Sequence, residues 1–220
     1  MSEKLGKIEK PTAEEFKTGR KLYFIPLIYG NKELPADYME IYDKYWKQVD
    51  DQISDFELKL GPVNRIYHEF IPATGEDGLK ALKNLSEKSF KIIEKRIKTG
   101  SQLEATENVE LLTEFMDWNR CLAIGLQNQK VSEKVYESYT EASKHREKFI
   151  SSHIDETLKA NDIGVLFMEE QYKIIFPNDI EVFYVSPPAL DEIKRWVRNH
   201  EVPHSNRGED KADKDKVAGS

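Results

Sequence analysis

Short apolar runs alternate with long stretches of helical periodicity along this chain. In the runs, apolar residues are continuous or alternate with polar ones, which is typical of strands. In the longer stretches they recur every three to four residues, which predicts amphipathic helices. Strand candidates lie at 22–29, 64–71, 163–168, 172–176 and 181–185. Helix candidates lie at 36–60, 76–99, 106–127, 132–160 and 189–199.

This order of elements predicts a helix-rich α/β fold. We expect a small mixed, mainly parallel sheet of four or five strands, with a multi-helix excursion between the second and third strands. The helix at 36–60 is a crossover that makes the first two strands parallel, whereas a hairpin joining 163–168 to 172–176 makes the sheet mixed. Around a single α/β domain at 11–201, we expect a flexible N-terminus at 1–10 and a disordered charged tail at 202–220.

Charge and composition exclude several classes of function. Of the 220 residues, 33 are Lys or Arg and 40 are Asp or Glu, which gives a formal net charge of -7. Without a basic stripe to neutralise phosphates, we expect no nucleic-acid partner. The absence of a long apolar window predicts no membrane span, and the N-terminus lacks the apolar region of a signal peptide. The single cysteine, Cys121, favours a reducing, cytoplasmic setting.

Candidate chemistry collects where the predicted strands end. Ligands of open α/β sheets bind beyond the carboxyl ends of the strands, which nominates Tyr67, His68 and Glu69 on the second strand and Glu169 after the third. His68 or Glu69 is suited to acid–base catalysis, and Tyr67 and Glu169 to ligand binding. Adjacent strand residues face opposite ways, so His68 and Glu69 do not form one dyad on a regular strand. The alternative is a half-buried His beside an exposed Glu.

Two polar residues interrupt the apolar stripe of the longest helix. Arg146 and His153 fall on the face that also carries Val135 and Phe149. Arg146 is suited to binding a small anionic ligand through its carboxylate or phosphate, and His153 to proton transfer. The alternative is structural, with Arg146 in solvent at the end of the stripe or in a salt bridge to Glu69 or Glu114.

No metal or cofactor is predicted. A series of carboxylates spaced by three and four residues indicates a solvated acidic helix face, because it lacks the Glu-x-x-His partners of metal-binding bundles. Its members are Glu104, Glu107, Glu110 and Glu114. Phosphate-binding glycine loops, nucleophile elbows and paired-cysteine motifs are absent from the sequence.

Two blocks resemble an uncharacterised prokaryotic protein family. One runs from Lys148-Phe149-Ile150 through Asp155-Glu156-Thr157-Leu158 to Ile163–Phe167, and the other covers Leu103–Glu114. Together they span about a quarter of the chain. Family members tend to carry a Gly and a His in the turn after the third strand, where this chain has Glu169-Glu170-Gln171-Tyr172. The resemblance implies no activity.

Two functional hypotheses follow from these observations. The first is a small-molecule-binding domain, with hydrolysis as a candidate reaction, whose pocket lies between the sheet and the long helix. The second is a non-catalytic interaction or regulatory module, or a homo-oligomer, that docks partners through an aromatic helix surface. That surface is formed by Tyr38, Tyr42, Tyr45 and Trp46.

Overall fold

A computed structural model describes residues 18–30 and 33–200, in five strands and six helices. The strands are β1 (Arg20–Pro26), β2 (Arg65–His68), β3 (Gln102–Leu103), β4 (Ile163–Met168) and β5 (Ile180–Tyr184). The helices are α1 (Ala36–Leu60), α2 (Gly75–Leu85), α3 (Glu87–Ile97), α4 (Val109–Ala123), α5 (Gln129–Thr157) and α6 (Pro188–His200). The flexible N-terminus predicted at 1–10 and the tail at 202–220 lie outside the described residues.

The helix-rich α/β fold is confirmed, with one five-stranded sheet in the order β3-β2-β4-β1-β5. Every strand pair in the described part of the chain is parallel, so the predicted mixed character is wrong. The hairpin that motivated it does not form, because residues 172–176 adopt no strand. The helical excursion after β2 is present, but the short edge strand β3 divides it.

The predicted helix at 76–99 is two helices. Ser86 lies between α2 and α3 in an extended conformation, with φ -151° and ψ 102°. Its side chain accepts a hydrogen bond from the backbone N–H of Ser89, which caps the start of α3. The helical periodicity continues across this break because both helices bury a stripe against the same side of the sheet.

The two faces of the sheet are covered differently. Alternate residues of β1 divide between them: Tyr23 and Ile25 belong to the core cluster that includes residues of α1, α2, α3 and α6, whereas Leu22 and Phe24 pack on the opposite face. We call the first the four-helix face and the second the α5 face, because Ile150 and Ile154 of α5 cover its centre. Beyond α5, the α5 face is covered by residues 169–179, the irregular segment that joins β4 to β5.

The aromatic residues of α1 are part of the core. Tyr38 and Tyr42 are each 6% exposed, Trp46 is 3% exposed and Tyr45 is fully buried. Tyr38 packs edge-on against Trp196 of α6, with ring centroids 4.8 Å apart. The docking surface predicted on these residues is therefore wrong, since their rings contact the sheet and α6.

Helix α5 runs antiparallel to the strands. Near its end, Asp155 pairs with Arg20 at the start of β1, and Arg146 pairs with Glu69 just beyond the end of β2. The first half of α5 therefore extends past the carboxyl edge of the sheet, where it packs on α4 through Phe115 and Tyr139. In the ranges that the structure describes, no helix has the length and apolar composition needed to cross a bilayer.

Candidate functional site

At the carboxyl edge of the sheet, the connections that follow the neighbouring strands β1 and β4 diverge. The chain leaves β1 towards α1 on the four-helix face, whereas the segment after β4 turns onto the α5 face. Adjacent strands whose connections diverge in this way leave an opening in which α/β proteins bind ligands. Tyr29 and Glu169 follow the two strands at this point.

Beside the end of β4 lies a buried ion cluster, which we call the Arg146 cluster: Arg146, Glu69 and Glu107. All three side chains are fully buried. The Arg146 Nη2 donates to Glu69 Oε1 at 2.9 Å and to Glu107 Oε1 at 2.5 Å, and its Nε donates to Glu107 Oε2 at 3.0 Å. The third nitrogen, Nη1, is buried with no hydrogen-bond partner among the described residues.

The two carboxylates of the Arg146 cluster also bind backbone. Glu69 Oε2 accepts the N–H of Glu169 at 2.9 Å, and Glu107 Oε1 accepts the N–H of Phe70 at 3.0 Å. Phe70 has φ 64°, a left-handed conformation that is strained for a bulky residue. The cluster therefore holds together α5, the ends of β2 and β4, and the segment before α4.

Three aromatic rings surround the guanidinium. The Arg146 Cζ lies 5.0 Å from the ring centroid of Phe70 and 4.8 Å from those of Phe115 and Tyr172. At these distances the electron-rich ring faces attract the cation. Arg146 is therefore enclosed by two carboxylates and three rings, and leaves no room for a ligand to bind its charged group directly.

Burial dominates the electrostatics of this region. It raises the pKa of Glu69 to about 7, although attraction to Arg146 opposes the shift. For Arg146, burial alone lowers the pKa, but hydrogen bonds and attraction from Glu107 and Glu69 raise it above the ordinary value. Burial together with the charges of Glu69 and Glu169 raises the pKa of Tyr29.

A cavity of about 330 Å³ that is open to solvent lies next to the Arg146 cluster on the α5 face, and its lining residues Val182 and Tyr184 are 42% and 46% exposed. Its walls come from β1, β5 and the segment after β4, where no helix covers β5. We call it the aromatic cavity because most of its lining is apolar and aromatic: Phe24, Tyr172, Ile174, Phe176, Val182 and Tyr184. Tyr172 is shared, since its ring lines the cavity and also contacts the guanidinium.

Two ionisable groups complete the lining of the aromatic cavity, Glu170 and Lys173. The Glu170 carboxylate is engaged, because it accepts a hydrogen bond from the Tyr184 hydroxyl and pairs with Lys194 at 2.8 Å. Lys173 has neither an ion pair nor a hydrogen bond within the described ranges. The unpaired charge in the lining is therefore positive.

The structure brings three of the predicted site residues together, Glu69, Arg146 and Glu169. His68 is directed to the four-helix face, as strand alternation predicts. Its Nε2 lies 2.9 Å from Ser89 Oγ and its Nδ1 2.7 Å from the Glu69 carbonyl oxygen. Burial lowers the pKa of His68 to about 4, so the ring is neutral over most of the physiological range.

Tyr67 and His153 lie apart from the Arg146 cluster. The Tyr67 hydroxyl contacts Thr157 Oγ1 at 2.8 Å, near the opposite end of α5. His153 is seven residues beyond Arg146, roughly 10 Å along the helix axis. Its ring stacks on Phe149, and its Nε2 is buried without a partner among the described residues. These positions do not support a joint site for Arg146 and His153.

Glu107 was not predicted as a partner of Arg146. The sequence interpretation placed it on a solvated acidic helix face, which is wrong because its side chain is fully buried. The predicted alternative partner Glu114 is exposed, whereas the other, Glu69, is correct. Sequence reasoning also missed the aromatic lining of the cavity, although the alternation of Ile180, Val182 and Tyr184 signals one shared face.

Fold and site together define an α/β domain with a parallel sheet, a buried ion cluster and an adjoining aromatic cavity. Within the described ranges, no group of three His, Cys, Asp or Glu side chains is arranged to hold a metal ion. No family model, curated protein or solved structure matches this chain. The resemblance to an uncharacterised prokaryotic family stays a hypothesis.

Proposed function

We propose that this protein binds a small molecule in the aromatic cavity. The observation that carries the proposal is a volume of about 330 Å³ lined by aromatic rings. Ligand pockets of proteins are mostly apolar concavities of about 300–1,000 Å³ with a few polar groups.

The Arg146 cluster supports this function as a positioning element. Its Glu69 carboxylate accepts the backbone N–H of Glu169, and its guanidinium contacts the ring of Tyr172. Both residues belong to the segment that forms the outer wall of the cavity. A wall fixed by buried ionic hydrogen bonds loses little conformational freedom when a ligand binds, which favours affinity.

Hydrolysis is not part of the proposal. The catalytic roles considered for His68, Glu69 and His153 require these groups to meet a substrate, and none of them lines the cavity. The proposal is therefore restricted to binding. We also propose a cytoplasmic location, because a single cysteine cannot form a disulfide within the chain and is typical of reducing compartments.

A neutral fluorescent probe, N-phenyl-1-naphthylamine, tests the proposal because its emission rises in apolar cavities. We expect the full chain to enhance the emission saturably. Val182→Trp fills the cavity and is expected to weaken probe binding at least tenfold. Val197→Trp is the matched control: Val197 is 37% exposed and Val182 42%, but Val197 lies on α6, outside the cavity. No saturable emission, or equal loss in both variants, overturns the proposal.

An interaction module is the second candidate function. On α4 and the first half of α5, Val109, Tyr136 and Val131 are 61%, 61% and 48% exposed. Exposed apolar side chains on a projecting pair of helices favour association with another protein or a second copy. Light scattering of the full chain tests the homo-oligomer, and a monomer at all concentrations contradicts it.

A further inference from the structure

The charges around the aromatic cavity identify the class of ligand. We infer that the cavity binds an aromatic carboxylate, with its ring among the aromatic side chains and its carboxylate at Lys173. This inference rests on the proposed function and adds the chemistry of the ligand to it.

The apolar part of the site selects a planar ring. Phe24 and Tyr184 are nearly parallel, with ring centroids 5.7 Å apart and an interplanar angle of 13°. Tyr172 and Phe176 provide further ring surfaces. Aromatic pairs favour offset-stacked or edge-to-face contacts, which a ring bound among these side chains can make. The volume of about 330 Å³ accommodates one or two fused rings.

The polar part of the site selects a negative charge. Glu170 is neutralised by Lys194 and occupied by the Tyr184 hydroxyl, so it has little capacity left for a ligand cation. Lys173 is exposed and has no carboxylate partner among the described residues, so its ammonium is free to pair. Glu69 and Glu169 do not line the cavity; their charges act on Tyr172, where the charge of Arg146 opposes them.

Three naphthalene derivatives with the same ring test the inference: 2-naphthoate, 2-naphthalenemethanol and 2-(aminomethyl)naphthalene. Each competes with N-phenyl-1-naphthylamine for the full chain at pH 7.5. We expect the carboxylate to displace the probe at about fivefold lower concentration than the alcohol, as one exposed ion pair allows, and the amine to be the weakest. Raising the salt concentration reduces the advantage of the carboxylate, because the pair is exposed.

Two lysine variants distinguish a specific ion pair at Lys173 from a general attraction of the carboxylate to the positive charges of the protein. Lys173→Met is expected to abolish the preference for 2-naphthoate over 2-naphthalenemethanol. Lys47→Met removes the same charge from α1, on the other face of the sheet, and is expected to keep the preference. Probe binding with equal displacement by all three compounds, or strongest displacement by the amine, overturns the inference and leaves the proposed function intact. Absence of probe binding overturns both.

Discussion

At the scale of single residues, the adjacent side chains of His68 and Glu69 are both fully buried, on opposite faces of the sheet. His68 faces Ser89 on the four-helix face, and Glu69 faces Arg146 on the α5 face. Burial penalises the charged form of each group, so it lowers the pKa of His68 to about 4 and raises the pKa of Glu69 to about 7. Burial therefore favours the neutral form of both residues, although it lowers the pKa of one and raises the pKa of the other.

These shifts predict two opposing contributions to stability. Between pH 4.5 and 7, folded Glu69 retains a proton that the unfolded chain has released, so the free energy of unfolding falls as pH rises. Between pH 4 and 6.5, unfolded His68 binds a proton that the folded protein lacks, so the free energy of unfolding rises with pH. Each contribution totals on the order of 3 kcal/mol, and they nearly cancel where the two intervals overlap.

Urea unfolding across this pH range separates the two groups. Relative to the wild type, we expect the free energy of unfolding of Glu69→Gln to rise more steeply with pH. That of His68→Gln should fall as pH rises to about 7, because the opposing His68 contribution is gone and Glu169, whose pKa burial also raises, acts in the same direction as Glu69. Parallel profiles for all three proteins contradict the assigned pKa shifts, whatever the stability of each variant.

At the scale of elements, the segment from 169 to 179 is the least regular part of the sheet connections. A crossover between parallel strands usually contains a helix, and this one does not. Its start is held by the Glu69 carboxylate and by contact of Tyr172 with Arg146. We therefore expect both its stability and the shape of the cavity wall to depend on Arg146.

Arg146→Met tests this dependence. The substitution leaves Glu69 and Glu107 buried without their cation, so we expect a loss of about 3–5 kcal/mol in the free energy of unfolding at pH 8. The loss should be smaller at pH 5.5, where the raised pKa of Glu69 allows protonation. Binding of N-phenyl-1-naphthylamine should also weaken, because the wall at Tyr172 is no longer held.

Arg96→Met is the matched control on the four-helix face. The Arg96 side chain is only 3% exposed, but its partners Asp50 and Glu57 are 32% and 23% exposed. Water can solvate these carboxylates after the substitution, so we expect a smaller loss and unchanged probe binding. Equal losses in the two variants contradict a special role for the Arg146 cluster.

Periodicity in the sequence was sufficient for most elements, but it did not indicate the break at Ser86 or the edge strand β3, and it misassigned two further segments. Tyr172, Ile174 and Phe176 alternate as in a strand, because all three pack on the α5 face. Alternation reports burial on one side and does not require pairing of the backbone. Glu107 matches a helical spacing, but α4 begins at Val109 after the cap residue Asn108. An Asn directly before an apolar run is a helix-start signal that would have excluded Glu107 from the helix face.

The sequence could place Arg146 on an inward stripe and offer Glu69 as one candidate partner, but it could not identify the rest of its surroundings. The contacts of Arg146 come from the residues just after β2, from the segment before α4, from α4 itself and from the segment after β4. These parts are distant along the chain, and only the order of the strands brings them together. The cavity has the same origin, because it exists where a connection without a helix passes over β5.

At the scale of the whole molecule, α5 joins two regions of different packing. Its second half lies on the sheet, where Ile150 and Ile154 are fully buried. Its first half extends beyond the sheet and packs on α4, in which only Leu112 and Phe115 are buried. The helix is continuous, but its packing partner changes near Arg146, from α4 before this residue to the sheet after it.

Hydrogen exchange measured by mass spectrometry tests the energetic consequence of this change. We expect backbone amides at 129–145 to exchange through local opening, at a lower free energy than amides at 147–157 and in β4. The reason is that opening the first half of α5 exposes little apolar surface, whereas opening the second half exposes the sheet. Arg146→Met should move the boundary of slow exchange towards the end of α5, and Arg96→Met should leave it in place. Uniform protection along the helix would show instead that α4 and α5 unfold only with the sheet.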